Sequence, residues 1–151
     1  MYLSDLLKTD MVFLDLVNLR LDHVKAYNSE SHYGTYTYVA KRWTGIWEKV
    51  PCSQITTAMV QKHLLKRRQI SAYTANKDLR YLRATFRFGI GKRFITNDPT
   101  EGLGFFPVEK KVKYVPSATD LDQVIACADP DTQDYLWVIR ETMARVGEVN
   151  R

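Results

Sequence analysis

An all-α fold is what this sequence predicts: a bundle of four helices, then an irregular connection, then a shorter helical segment. Apolar residues recur at helical spacing in four successive stretches before residue 92, the signature of amphipathic helices. Short polar or proline-containing breaks separate the stretches, and short connections make bundle neighbours. From Thr96 to Pro116 the periodicity dissolves into Asn97-Asp98-Pro99, Gly102, Gly104, Pro107, a Lys110-Lys111-Val112-Lys113 run and Pro116, which is the composition of an interdomain connection. The expected organisation is a helical domain over residues 1–106, a linker over 107–116 and a smaller segment over 117–151.

Leu14, Val17, Leu21 and Val24 share one face of a first helix from Val12 to Tyr27, which Asn28-Ser29-Glu30-Ser31 ends. Tyr36, Val39, Trp43, Ile46 and Trp47 mark the inner side of a second helix, with Thr35 or Ser31 as its cap and Val50-Pro51 closing it. A third begins at Thr56 or Thr57, turns Val60 and Leu64 inward and ends in Lys66-Arg67-Arg68, where cations complement the negative helix end. The fourth runs from Thr74 to Ile90 on a stripe of Leu79, Leu82, Phe86 and Ile90. Beyond the connection, Thr119 and Asp122 are spaced as a capping box for a helix through Ala128. Asp129-Pro130-Asp131 then starts another, with Leu136, Ile139 and Met143 on its inner face. The 35 residues after Pro116 are too few to close a core of their own.

Charge is what points to a partner. The net charge is only +5, yet between Thr37 and Arg93 there are 13 basic residues against two acids, Glu48 and Asp78. The other 94 residues carry nine basic and 15 acidic ones, so the positive charge belongs to one middle segment whose natural partner is a polyanion. No apolar run approaches the roughly 20 residues of a membrane span, and the N-terminus lacks the pattern of a secretory signal. Cys52 and Cys127 stand 75 positions apart with no Cys-x-x-Cys near either, which supports neither a disulfide framework nor a zinc site. His23, His32 and His63 share no metal-ligand spacing. A protein of the reducing cytoplasm, with no metal and no other cofactor, is the expectation.

On the fourth helix Asn76, Arg80, Arg83 and Arg87 fall in one sector beside the apolar stripe, with Thr74 and Lys77 on the same first turns. Arginine forks suit phosphates and the O6/N7 edge of guanine, and asparagine pairs with an adenine edge, so this stripe has the chemistry of a helix that reads a DNA groove. The second helix repeats the pattern more thinly with Tyr38, Arg42 and Lys49, and Lys62, Lys66, Arg67 and Arg68 are placed for phosphate contacts that position without reading sequence. Helical core spacing assigns Trp43, Trp47 and Trp137 to packing rather than to base stacking.

The stretch "ISAYTANKDLRYLRATFRFGIGKRFITNDPTEGL" from Ile70 to Leu103 resembles the last helix and exit of the core-binding domain of tyrosine recombinases of the phage integrase type, through Ser71, Thr74, Asn76, Leu79, Leu82, Asn97 and Pro99. "VPSATDLDQVIACA" looks like the entry to that family's catalytic domain, and "ETMARVGEVNR" is similar to its first catalytic box, an arginine followed three residues later by glutamate, here Arg145 and Glu148. The resemblance covers almost the whole chain. It implies a SAM-like four-helix core-binding bundle followed by the first helices of a truncated catalytic domain. Double-stranded DNA is the implied partner, with self-association on DNA in a full-length parent. Arg145 would bind the scissile phosphate, a task for a permanently charged, bidentate side chain. The family's lysine hairpin, His-x-x-Arg box and tyrosine nucleophile would all lie downstream of Arg151. On that expectation this chain is a fragment that grips DNA without recombining it, its enzyme being complete only in the parent. One position departs from the family: the glycine often found two residues before the arginine is Met143 here.

Two other functions fit the same residues. A stand-alone helical DNA-binding transcriptional regulator would use the part after Pro116 for dimerisation or ligand response. A protein-interaction module would turn the basic face to an acidic protein.

Overall fold

The computed structural model describes residues 10–109 and 113–150, all of whose regular elements are helical. Lys110, Lys111 and Val112 of the lysine run lie outside the described residues. The chain divides into two compact units, Met1–Glu109 and Lys110–Arg151.

Four helices build the first unit: α1 (Phe13–Tyr27), α2 (Glu30–Trp47), α3 (Thr57–Arg68) and α4 (Ala72–Gly91). Each of the last three starts on a hydroxyl that accepts a backbone N–H three residues on: Ser29 from His32, Thr56 from Met59, Ser71 from Thr74. Such a cap satisfies one of the four N–H groups a helix leaves open. The cap of α2 is Ser29, not Thr35 or Ser31, because Ser29 is the last residue in extended backbone before the helix. Similarly α4 begins at Ala72, two residues before the expected Thr74. Before α1 and after α2 the backbone pairs across Val12 and Pro51, with Cys52 N–H donating to Met11 O at 2.8 Å and Phe13 N–H to Val50 O at 3.0 Å.

The core is aromatic at its centre. Phe13 stacks on Phe86 with centroids 5.6 Å apart and meets Trp47 edge-on at 5.7 Å, while Tyr36 meets Trp43 edge-on at 6.5 Å. Leu16, Val17, Val24, Val39, Val60, Leu64, Leu79 and Leu82 complete it, all buried. Two residues of this unit expected inside stand outside, as does Trp137 of the second unit at 43% exposure. Ile46 is 55% exposed because Ala40, Trp43 and Trp47 occupy the sector facing the core and leave it on the rim. Ile90 is likewise exposed, its place taken by Gly89. A Cβ on Gly89 would lie 2.8 Å from Leu16 Cδ1 and 2.9 Å from Ile95, so a side chain there would have to push both neighbours aside. Burial pushes the Cys52 thiol up to about 12, with Asp10 and Asp15 adding to the shift, which leaves little of the reactive thiolate at neutral pH.

Helix α4 ends with Arg93 in the left-handed region at φ 61°, Phe94 N–H reaching back to Gly89 O at 2.9 Å, the closure that satisfies late helix carbonyls. The chain then returns along α4. Asp98 accepts from Thr100 N–H at 2.9 Å and from its hydroxyl at 2.6 Å, Pro99 and Thr100 are buried, and Gly102 turns the backbone at φ 75°.

The second unit holds α5 (Ala118–Ala126), α6 (Pro130–Thr142) and the short α7 (Val146–Val149). Its first capping box is formed by Ser117 and Asp120, two residues earlier than the expected Thr119 and Asp122. Asp122 instead pairs with Arg140 across the two helices. Hydrogen bonds from Tyr114 and Ser117 lower the Asp120 pKa, and those from Thr132 lower that of the α6 cap Asp129. Both contributions to stability fade as the pH falls through the lowered values. Ile125 is this unit's one buried apolar residue among those described, with Leu136 and Ile139 half-covered. Met143, expected on the inner face, is 86% exposed because it terminates α6 in the left-handed conformation (φ 52°) and so leaves the helical register.

Filling the contact at Gly89 tests the packing. Gly89→Ala should lower unfolding stability by about 1–3 kcal/mol, since Leu16 is itself fully buried and has nowhere to move. Urea denaturation of the two proteins checks it; an unchanged midpoint would mean that the α1–α4 approach has slack.

Candidate nucleic-acid interface

Helix α4 is the element on which the basic residues converge, and the structure divides them into engaged and open ones. Asp78, one of the middle segment's two acids, is fully buried. Its carboxylate accepts from Arg42 Nη2 of α2 at 2.6 Å and lies 3.2 Å from His63 Nε2 and 3.3 Å from Arg67 Nε of α3. A carboxylate taken out of water costs several kcal/mol unless cations and hydrogen bonds meet it. Two guanidiniums and the His63 ring meet it, from two other helices.

This changes the assignment of several expected contact residues. Arg42 and Arg67 turn inward to Asp78, and Arg42 also lies 5.1 Å over the exposed Tyr38 ring. Asn76 is buried, and its amide closes a two-point clamp on the exit segment: Nδ2 donates to Phe106 O and Oδ1 accepts from Phe106 N–H, both at 2.8 Å. An amide so engaged is not presented to an adenine edge. Arg83 donates to Leu103 O at 2.5 Å and lies 5.3 Å over the Phe105 ring. Lys49 lies past the end of α2, in the turn before Pro51, rather than in register with Tyr38. Thr74 is half-buried in the first turn of α4, its N–H donating to Ser71.

What stays open is a smaller set. Lys62 and Lys66 are exposed on α3, and Arg68 is exposed with its guanidinium 5.2 Å over the Phe106 ring. On α4, Arg80 and Arg87 are exposed and Lys77 is half-buried. Among the described residues none of these six has a carboxylate within 4 Å. Arg80 shares Phe105 with Arg83, its guanidinium 5.7 Å from the ring centroid. Around Arg87 the surface is mixed, because Asp98 and Glu101 line the same shallow depression.

Arg20, on α1, is a cation outside the basic middle segment that reaches the same side of the molecule. Its guanidinium lies over Tyr36 (5.6 Å) and Phe88 (5.2 Å), and with His32, Tyr73, Lys77, Arg80 and Tyr81 it lines one groove. Charge counting along the chain does not find it, because α1 is locally rich in aspartate. Only the bundle brings it beside α4.

In the second unit Arg145 caps α7 with its side chain exposed, Nη1 standing 3.9 Å from Glu148, while its own N–H donates to Glu148 Oε2 at 3.0 Å. Among the described residues no three His, Cys, Asp or Glu side chains are grouped to hold a metal ion, and no helix is long and apolar enough to cross a membrane.

No protein-family model matches the chain, and neither a curated protein nor a solved structure shows significant similarity to it.

The carboxylate at the centre of this arrangement has a measurable weight. Asp78→Ala should destabilise the first unit by about 3–5 kcal/mol, the cost of leaving two largely covered guanidiniums and the His63 ring without their carboxylate. Thermal unfolding reads the loss; a shift equivalent to less than ~1 kcal/mol would demote the cluster to a surface-like ion pair.

Proposed function

We propose that this chain binds double-stranded DNA and is the DNA-gripping front of a tyrosine recombinase. The observation that carries the reading is the surface of α4 and α3. Six cations, Lys62, Lys66, Arg68, Lys77, Arg80 and Arg87, stand without a carboxylate within 4 Å among the described residues, while the one acid that falls between them in sequence, Asp78, is withdrawn into the core. An unpaired row of this kind is what a phosphate backbone neutralises, and each neutralised phosphate releases counterions. Lys62, Lys66 and Arg68 serve as positioning contacts, and Arg80 and Arg87 are the forks best exposed for a groove edge.

The recombinase half of the proposal rests on the order of features along the chain: a basic helical unit, an Asn97/Pro99 exit, a connection, and the Arg145–Glu148 box. One structural detail supports it. Met143 stands where the family often has glycine, and its backbone is in the left-handed conformation that glycine adopts without cost. The turn before Arg145 thus has the shape the glycine would give it. Arg145 is exposed, its side chain meeting only Glu148 at 3.9 Å, and is open to fork onto a phosphate.

Titration with duplex DNA at several salt concentrations tests the binding. Affinity should fall with salt at a log-log slope near −0.9 per phosphate contacted, and duplex should be preferred over a heparin-like polyanion. Arg80→Ala with Arg87→Ala should weaken binding by about 1–3 kcal/mol per contact. If both are phosphate contacts the slope should also drop by roughly 2. Unchanged affinity would remove these two residues from the interface, and absence of duplex binding at low salt would leave a protein-facing surface. Arg145→Ala should leave duplex binding by this chain nearly intact and abolish strand cleavage in a full-length parent; cleavage that survives would overturn its assignment to the scissile phosphate.

A further inference from the structure

Between α1, α2 and α4 lies a groove of about 460 Å³ whose walls are Arg20, His32, Tyr73, Lys77, Arg80 and Tyr81. Its volume falls in the range of small-molecule sites, roughly 300–1,000 Å³. Tyr36 lies at its base with its hydroxyl already engaged, 2.7 Å from Thr85 Oγ1 and accepting from Arg20 Nε at 3.4 Å. Burial raises the Tyr36 pKa, so the base of the groove is a neutral phenol and adds no negative charge. No aspartate or glutamate lines the groove, and among the described residues Arg20, Lys77 and Arg80 have no carboxylate within 4 Å.

The aromatic side chains divide into two kinds. His32 and Tyr81 are stacked on each other, centroids 5.9 Å apart at 28°, and form a fixed wall. Tyr73 is 66% exposed and pairs with no other ring among the described residues. Cations on two sides and an unused ring at the lip form a site with two recognition elements: one for a phosphate, one for a planar base.

We propose that this groove holds one unstacked nucleotide, its phosphate between Lys77, Arg80 and Arg20 and its base lying on the Tyr73 ring. The inference rests on the DNA-binding reading in one respect, that a bound strand supplies the nucleotide. A continuous duplex cannot satisfy the site, because its phosphates reach the cations while its bases stay stacked on one another. The ligand is therefore a single-stranded nucleotide, at an overhang, a gap or an end. Stacking on a ring is tolerant of sequence, since every base has a π-face.

Anisotropy titrations with a blunt duplex, and with the same duplex carrying a short single-stranded overhang, test it. The overhang should bind roughly tenfold more tightly, the gain expected of a single stacked base. Tyr73→Ala should erase that preference and leave blunt-duplex affinity unchanged, whereas Tyr73→Trp should keep it, and the exposure of Tyr73 makes loss of fold the wrong explanation for either. Arg87→Ala, outside the groove, should weaken both DNAs equally. A mononucleotide should compete with the overhang, and inorganic phosphate should compete far less. If the mononucleotide alone reaches the affinity of the overhang, the site stands and its source is free nucleotide. Equal affinity of the wild type for blunt and overhanging DNA would overturn the groove and leave duplex binding intact. Tight binding of the overhang with none of the blunt duplex would uphold the groove and remove the duplex reading. Competition by inorganic phosphate as strong as by the mononucleotide would reduce the groove to a bare anion site.

Discussion

One carboxylate organises the first unit. Asp78 sits on the inner side of α4 with no exposure, and its oxygens meet Arg42 from α2 and His63 and Arg67 from α3. Apolar contacts between helices tolerate sliding; a buried charge does not, because each partner must arrive at hydrogen-bond distance or the desolvation cost stands unrelieved. The cluster thereby selects one mutual register for three helices. It has a second effect on the surface. By drawing Arg42 and Arg67 inward it subtracts two cations from the basic segment, and seven of the eleven that remain lie on α3 and α4.

The aromatic core acts with that cluster rather than beside it. Trp47 is 5.5 Å from the His63 ring and edge-on to Phe13, so the same side chain touches both the ionic site and the Phe13–Phe86 stack. Gly89 lets α1 come close to the end of α4, and that approach carries Arg20 to the groove beside Lys77 and Arg80. The surface chemistry of α4 is thus shaped from beneath, by which residues the core absorbs and how near α1 is allowed to lie.

Hydrophobic periodicity made the helices legible, since one buried face per helix is a local property of the sequence. Where it misassigned a residue, the neighbour differed by a single position: Trp47 and Ala40 displaced Ile46, and Gly89 displaced Ile90, because the sector facing the core was set by partner helices. Caps were legible as a class of residue but not as a position, since serines and threonines crowd both Ser29–Ser31 and Ser117–Thr119. The surface was harder. On a helical wheel Asn76, Arg83 and Arg87 look equivalent, yet the returning segment clamps the first and binds the second and leaves the third open. Arg42 and Arg67 looked free because their acid lies far from them in the chain, on another helix. No local pattern encodes that pairing. The groove was hidden for the same reason, its walls coming from three helices.

The clamp at Asn76 also sets a length. The chain leaves α4 at Gly91, but it is pinned to the bundle again at Phe106. The length of chain laid against the bundle thus runs from Gly91 to Phe106, with Arg83 holding Leu103 O and Pro99 and Thr100 buried between them. Two hydrogen bonds on a side chain that looked like a reader of bases work as a staple, fixing where the returning chain lies against the bundle.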